Sequence, residues 1–498
     1  MKILNTPQTK ELDNITCKEL NIKSIDLIEK AATACVDWIV KKYTKGTHFT
    51  LFCGVGNNGA DGLAIARLLL TKRYKIEAYH VKYSDKVSVD NLTNLNKLKE
   101  VHKVRTILNH HNIALFQENT VVIDAMLGSG LRPGLPEICI RVQNHINYFD
   151  NEVIAIDTPS GLAYENNIYD SNIVKANHTL TFEYPKMSFL LPTNHQYVGT
   201  CTVLSINLNP NFIDQQETSN YYTTQTTIQH ILKPRKQFDH KGNFGHVELI
   251  GGSYGKIGAI QLATKACLHT GVGLLTTYAP TCANSILQTS IPEAMFTSNG
   301  SQDYLQGNYI STNKTVAIGP GLGTLPKTQH FLHLVIKATN TPMVLDADAL
   351  NILSKNKEWL NEIPKNSILT PHPKEFERLV GEWNSENEKL EKLRIFSKTN
   401  HCFTVLKGAH TAICTPTETI YFNSTGNPGM ATGGSGDVLT GILVSLLAQN
   451  HAPEQAAILG VYLHGLAGDI SAKKHSEQAT TATSIIENIG NAYLAIKM

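Results

Sequence analysis

The stretch Asn427 to Asp437, NPGMATGGSGD, constrains the chain more than any other part of it. Glycines stand at 429, 433, 434 and 436, a carboxylate closes the stretch, and the apolar run VLTGILVSLLA follows. Val438, Leu439, Ile442, Leu443, Leu446 and Leu447 recur at the spacing of one helix face, so Gly433 to Gly436 are predicted to form that helix's N-terminal turn. Unpaired backbone N–H groups there, with the helix dipole behind them, hold phosphate oxygens, and glycine lets an anion come close. An ionised Asp437 beside that phosphate is placed to take a proton from a hydroxyl, while the turn stabilises charge on a transferring phosphoryl group. This is the arrangement of a small-molecule kinase. An isolated Gly-x-Gly, by contrast, is as often only a structural cap.

A chain of 498 residues is too long for one ordinary domain and predicts two or three, each with its own core. With 42% hydrophobic and 17% charged residues the composition is globular, which excludes disorder. A net charge of +2 gives no electrostatic case for nucleic acid or a membrane surface, so small molecules are the expected partners. Nine cysteines, scattered and without a Cys-x-x-Cys pair, favour reduced thiols over a disulfide framework or a zinc site. The opening MKILNTPQTKELDN lacks the apolar core of a signal peptide, and no apolar run reaches the roughly 18 residues of a membrane span. A cytoplasmic location is expected.

In chain order, Ser24 to Lys42 reads as a capped amphipathic helix, followed by a strand at Phe49 to Cys53, the loop GVGNNGADG and a helix through Leu63 to Leu70. Apolar runs at Val121 to Ala125 and Val153 to Ile156 end near Asp124 and Asp157, each followed by a turn with Gly or Pro. Alternating strand and helix indicates a parallel sheet with binding residues at the carboxyl ends of its strands, where GVGNNGADG, DAMLGSGLRPG and DTPSG would meet. Asn57, Asn58 and Gly59 can offer amides to a phosphate. Asn58, Asp124 and Ser160 form an all-oxygen set suited to a hard cation. Taken alone, GVGNNGADG is equally a degenerate dinucleotide fingerprint or a tight turn.

Residues 207–233 are rich in Asn, Gln and Thr without a sustained apolar period and read as a linker, with a domain boundary near 218 that gives domains 1–217 and 218–498. Beyond it, a strand at His246 to Ile250 enters a Gly-rich turn before a helix from Ala259. The GPGLG turn after the strand Thr315 to Ile318 allows close approach at Gly321 and Gly323. His372 lies between two prolines that stiffen its backbone, either to hydrogen-bond a substrate or to cap the helix that starts near Lys374. The turn Lys407 to Thr411 follows the strand Phe403 to Leu406 and reads as a phosphate or ribose contact, or as a solvated turn.

Together NPGMATGGSGD, HVELIGGSYGKIGAI (246–260), GPGLG (319–323), LDADALN (345–351), TPHPKEF (370–376) and KGA (407–409) resemble the ribokinase-like fold and, within it, the dehydratase domain of bifunctional NAD(P)H-hydrate repair enzymes. Residues 1–215 resemble the NAD(P)H-hydrate epimerase domain. The resemblance implies an α/β chain, a Rossmann-like three-layer domain followed by a ribokinase-like three-layer domain. Its implied activity is interconversion of the R and S hydrates of NADH and NADPH (NADHX and NADPHX) and dehydration of the S form, with ADP converted to AMP and phosphate. It further implies that Asn57, Asn58, Gly59, Ala60, Asp61, Gly128, Ser129, Gly130, Leu131, Arg132, Pro133, Gly134 and Asp157 contact the hydrated nucleotide, and that Asn58, Asp124 and Ser160 hold potassium.

Inverting the ring carbon that bears both hydroxyl and ring nitrogen needs proton transfer, for which Asp157 is the candidate acid/base and Lys186 its charge partner. Lys186 reads nearly as well as a solvated surface lysine. In the second domain the implied substrate residues are Ala259, Gly323, His372 and Asp437. The implied nucleotide residues are Lys407, Gly408, Ala409, His410, Thr411 and Gly436, with ADP accompanied by Mg2+. A homo-oligomer is implied as well. The sequence departs from the family pattern at Ala60, usually a second glycine, and at Lys374, more often a glycine. A true vitamin-precursor or sugar kinase and a non-catalytic nucleotide sensor are the competing classes.

Overall fold

The computed structural model describes residues 1–108, 116, 119–128, 130, 134–165, 172–311 and 313–497. The candidates Ser129, Leu131, Arg132 and Pro133 lie outside the described residues. The chain divides into two compact units, Lys2–Thr218 and Ser219–Met498, the latter joined by Met1.

In the first unit, β1 (His48–Cys53), β2 (Lys75–Val81), β3 (Val104–Ile107), β4 (Thr120–Ala125), β5 (Val153–Ile156), β6 (His178–Phe182) and β7 (Thr200–Leu204) form a parallel sheet in the order β3-β2-β1-β4-β5-β6-β7. Phe49, Leu51 and Cys53 enter one apolar core while Phe52 enters another across the sheet. Both faces are therefore covered, and that is why these strands read as unbroken apolar runs. The Ser24–Lys42 helix has the predicted span, its start closed by the Asp26 carboxylate accepting from the Lys23 amide at 2.8 Å. Strand order reverses between β1 and β4, and a parallel sheet opens its binding crevice at such a point.

The second unit contains β8 (Asn220–Tyr222), β9 (His246–Ile250), β10 (Leu274–Tyr278), β11 (Met295–Thr297), β12 (Thr315–Ile318), β13 (Val344–Leu345), β14 (Ile368–Leu369), β15 (Phe403–Leu406), β16 (Ala412–Cys414) and β17 (Ile420–Phe422). Their order is β11-β10-β9-β12-β13-β14-β15-β16-β17-β8, with β16 antiparallel to both of its neighbours. The predicted linker is structured. Residues 210–215 and 225–231 are helical, Ile228 is fully buried, and β8 extends the sheet edge with Tyr221 stacked on Tyr421 at 5.1 Å.

The helix Ser435–Ala448 is buried on every side, beyond the single stripe the sequence suggested. It lies against β9, β12 and β13 and against the helices Ile257–His269 and Pro453–His475. On the opposite face the Pro326–Ala338 helix stacks Phe331 on Tyr278. Gly441 sets the approach of the first helix pair, because a Cβ there would lie 2.2 Å from the Ala263 carbonyl. Gly441→Ala is expected to destabilise this unit by about 2–3 kcal/mol, overpacking outweighing alanine's better helix propensity. A denaturant midpoint equal to wild type would contradict that packing. No helix among the described residues is long and apolar enough to cross a membrane.

Candidate active sites

The first site opens at the carboxyl ends of β1, β4, β5 and β6. The helix Asn57–Thr71 starts inside the predicted loop, leaving only Gly54 to Gly56 as turn. Asn91, fully buried, donates to the Gly54 and Gly56 carbonyls at 2.8 and 3.0 Å and fixes that turn. Glycine is required on steric grounds, since a Cβ on Gly54 would meet the Met126 carbonyl at 1.9 Å and one on Gly59 the Gly54 carbonyl at 2.0 Å. Ala60 is buried inside the helix with negative φ, its amide bonded to Gly56, so its methyl needs no special backbone. The amides of Asn57, Asn58 and Gly59 precede the first intrahelical bond, the kind of helix start whose N–H groups can receive an anion.

Asn58, Asp124 and Ser160 lie around the loop that follows β4. The Asn58 Nδ2 donates to the Leu127 carbonyl at 2.9 Å, and the Leu127 amide donates to Ser160 Oγ at 2.9 Å. Ser160 in turn donates to Asp124 through Oγ at 2.6 Å and through its amide at 2.7 Å. Burial pushes the Asp124 carboxyl up to about 6 against these donors. The Asn58 Oδ1 is buried without a hydrogen-bond partner. A buried carbonyl oxygen left open beside a carboxylate and a hydroxyl is the donor set of a hard, weakly hydrated cation. Gly128 lies against Asn58, whose Cβ would be 3.0 Å from a side chain at that position. Gly130 and Gly134, the latter at φ +82°, complete the described part of this loop.

Asp157 follows β5 at φ +64°, and the Thr158 amide donates to the Ile156 carbonyl across it at 2.8 Å. A non-glycine residue in such a γ-turn is strained, a feature that clusters at functional sites. The Lys186 Nζ is 3.4 Å from Asp157 Oδ1 and its side chain is only 2% exposed, so the solvated-surface reading of Lys186 does not hold. Local sequence gave no sign of this, because the burying groups come from elsewhere in the chain. Two more carboxyls converge here. Burial, with the charge of Asp157, pushes Asp13 up to about 6 and Asp61 well above the ordinary range. An open depression of about 710 Å³ lined by Glu152, His178 and His195 lies at the other end of β5 to β7 and contains none of these groups.

In the second unit Gly434, left-handed at φ +89°, caps the helix that begins at Ser435, one residue into the predicted turn. A Cβ on Gly434 would strike Leu262 at 2.4 Å. Asp437 is half-buried in the helix's first turn. Its carboxyl is not held simply ionised as the sequence suggested: burial, then the negative charges of Asp346 and Asp348 against the cation of Lys407, push it up to about 7. A buried ion network faces it. The Lys407 Nζ donates to Asp346 Oδ1 at 2.9 Å and lies 3.8 Å from Glu375 Oε2, while Thr440 Oγ1 donates to Asp346 Oδ2 at 2.6 Å. Burial opposes the charge of Asp346, yet Lys407 and the Thr440 and Thr370 hydroxyls hold it below the usual carboxylate range. A Cβ on Gly436 would be 3.5 Å from Lys407 Nζ, so the helix start faces this cation directly.

The Gly-rich turns after β9 and β12 are bound together, Gly252 N to the Pro320 carbonyl and Ser253 Oγ to the Gly321 carbonyl, both at 2.8 Å. Ala259 lies under Gly321, and the Gly323 amide donates to Asp348 Oδ2 at 2.8 Å. His372 caps the helix Pro373–Val380, its Nδ1 accepting from the Lys374 and Glu375 amides at 3.1 and 3.2 Å. An accepting Nδ1 puts the proton on Nε2, and burial, then the cation of Lys407, keeps the ring neutral. The Nε2 edge of the ring is half-exposed and lies 3.4 Å from Glu375 Oε1. The turn Lys407–Thr411 joins β15 to β16. Its Lys407 and Gly408 amides are engaged by the Pro371 carbonyl and Thr411 Oγ1, Ala409 is exposed, and His410 Nδ1 lies 3.1 Å from the Asn423 carbonyl.

Asp346 in LDADALN and Glu375 in TPHPKEF had no role predicted from sequence. A strand-terminal acid in LDADALN was the available signal for the first. Asp13 and Tyr164 had none.

Residues 247–491 match the NAD(P)H-hydrate dehydratase family, and residues 24–188 match the family described as YjeF-related protein N-terminus. Over 98% of its length the chain is 32% identical to 96% of the bifunctional NAD(P)H-hydrate repair enzyme Nnr of Moorella thermoacetica. It is 31% identical to the enzymes of the same name from Coxiella burnetii, over 97% of each chain, and Escherichia coli, over 94% of this chain and 90% of that one. Two families matched in this order, joined along nearly the full length of such relatives, mean that the chain belongs to the family of bifunctional NAD(P)H-hydrate repair enzymes.

Proposed function

We propose that Asp437 is the base of a phosphorylation-driven dehydration in the second unit, and that Asp157 with Lys186 carries the epimerisation in the first. The observation that carries the first half is a carboxyl held near pH 7 at a glycine-lined helix start, facing Lys407. Asp437 takes the proton of the substrate's ring hydroxyl, and that oxygen attacks the terminal phosphorus of ADP, or of ATP in its place. The bond to the departing nucleotide breaks, the amides of Gly436 and its neighbours bearing charge on the group in transfer. Phosphate then leaves the ring carbon with a proton lost from the adjacent carbon, which restores the ring double bond. Hydroxide is a poor leaving group and phosphate a good one. His372 Nε2–H is a donor to the substrate, and the Gly321 and Gly323 backbones admit its flat ring.

No group of three or more His, Cys, Asp or Glu among the described residues can hold a metal unaided, so Mg2+ is to be held largely by the nucleotide's phosphates. In the first unit Asn58 Oδ1, Asp124 and Ser160 would hold potassium, which supplies a fixed charge that ties the strand-end loops together. The helix start at Asn57 to Gly59 takes a substrate phosphate. Asp61, its carboxyl raised well above the ordinary range by burial and by the charge of Asp157, is a candidate donor to the departing ring hydroxyl. Nine free cysteines fit a reducing, cytoplasmic setting.

Purified R and S hydrates, each incubated with Mg2+ and ADP or ATP, test the proposal through recovery of reduced-nicotinamide absorbance. The S form is expected to recover directly and the R form only through the first unit. Replacing potassium by choline should slow the R form alone and lower the thermal midpoint of the first unit. Accumulation of a stable phosphorylated vitamin precursor without absorbance recovery would point to a kinase instead.

A further inference from the structure

We infer that Tyr164 and Tyr184 are positioning residues of the epimerase site, their rings holding the Lys186 ammonium beside Asp157 while the Tyr164 hydroxyl fixes the carboxylate's second oxygen. This rests on the assignment of Asp157 and Lys186 made above and deepens it. Lys186 enters a buried space in which a lysine would ordinarily have no stable place. Its Nζ lies 4.8 Å from the ring centre of Tyr164 and 4.6 Å from that of Tyr184, on two faces that attract a desolvated cation. A long reach to Asp157 Oδ1, 3.4 Å, is all the carboxylate itself provides. The rings therefore decide where the ammonium sits.

The Tyr164 hydroxyl donates to Asp157 Oδ2, whereas Oδ1 receives only the long contacts from Thr181 Oγ1 at 3.3 Å and from Lys186. Oδ2 is thus occupied, and Oδ1 is the oxygen a substrate can take over. Both tyrosines are themselves held. The Ser188 amide donates to the Tyr164 carbonyl at 3.0 Å, which joins this loop to the segment that carries Lys186. Tyr184 OH is hydrogen-bonded to Thr9 Oγ1 at 2.7 Å, and the neighbouring Glu165 carboxylate accepts from the Thr6 amide and hydroxyl at 2.7 and 3.0 Å. The first helix, Thr6–Glu19, thereby closes the cluster over a strained Asp157 backbone.

The test uses the full chain, with R-to-S conversion followed by chromatography without nucleotide and S-form dehydration as the internal control. Tyr164→Phe keeps the ring and removes the donor. Its epimerisation kcat is expected to fall about tenfold or more, the worth of one hydrogen bond to a charged group, with KM changed less than about twofold. Tyr184→Phe should retain near wild-type kcat, because the ring is what holds the ammonium, and Tyr184→Leu should lose it. Wild-type kcat in Tyr164→Phe, or equal loss in Tyr184→Phe and Tyr184→Leu, would overturn the inference. Asp157→Asn separates the two levels. Full epimerisation in that variant removes the assignment underneath, whereas an inactive Asp157→Asn beside an unaffected Tyr164→Phe removes only the role of the tyrosines.

Discussion

Asp437→Asn is expected to lower S-hydrate dehydration about 1,000-fold, within the range attributed to a positioned general base, while R-to-S conversion proceeds at the wild-type rate. Its acid-base behaviour supplies a second readout. With its carboxyl pushed up to about 7, dehydration in the wild-type chain should rise with pH through about 7 and level off above it. The same shift carries a stability consequence. A carboxyl raised on folding favours the folded state below its unfolded value near 4, and that contribution is lost as pH rises through about 7. Asparagine does not ionise. At pH 8 the variant should therefore be the more stable, by on the order of 2 kcal/mol once partial solvent screening is allowed for, and the gap should narrow below pH 7 and close toward pH 4. Unchanged dehydration in the variant would remove Asp437 from the chemistry, and an unchanged midpoint at pH 8 would show that it bears no burial penalty.

Asp157→Asn is expected to reduce R-to-S conversion by about 100-fold or more and to leave S-form dehydration intact. The isosteric amide keeps the volume and one acceptor oxygen but loses the charge that faces Lys186. Chromatographic separation of the two epimers over time, in the absence of nucleotide, measures the loss directly. Conversion at the wild-type rate would leave Asp61 or Asp13 as the operative carboxyl.

The rhythm of the fold was legible wherever short-range signals were strong. The strands Val153–Ile156, His246–Ile250 and Phe403–Leu406 fall where apolar runs between Gly or Pro turns put them. At Asn57 to Gly62, asparagine and glycine spoke for a loop, yet Asn91 ties down the preceding turn and burial of Ala60 and Leu63 makes the segment helical. The segment 207–233 lacked an apolar period because β8 is only three residues long and gains its place from pairing with β17. Of the two sequence readings of His372 the structure shows the capping one, through Nδ1, while Nε2 lies 3.4 Å from Glu375 Oε1. What stayed hidden were groups whose meaning is a long-range partner: Lys186 between two rings, Asp346 on Lys407, and Asn58 with its open oxygen.

One turn of helix separates Asp437 from Gly441, and the missing side chain at 441 determines how near that helix can come to the Ala263 carbonyl. The Asp437 carboxylate, the proposed proton acceptor, is therefore aimed by an apolar seam. Bulk added anywhere along that seam would swing the carboxylate off target, so harmful variation should occur at silent, greasy positions far from any ligand.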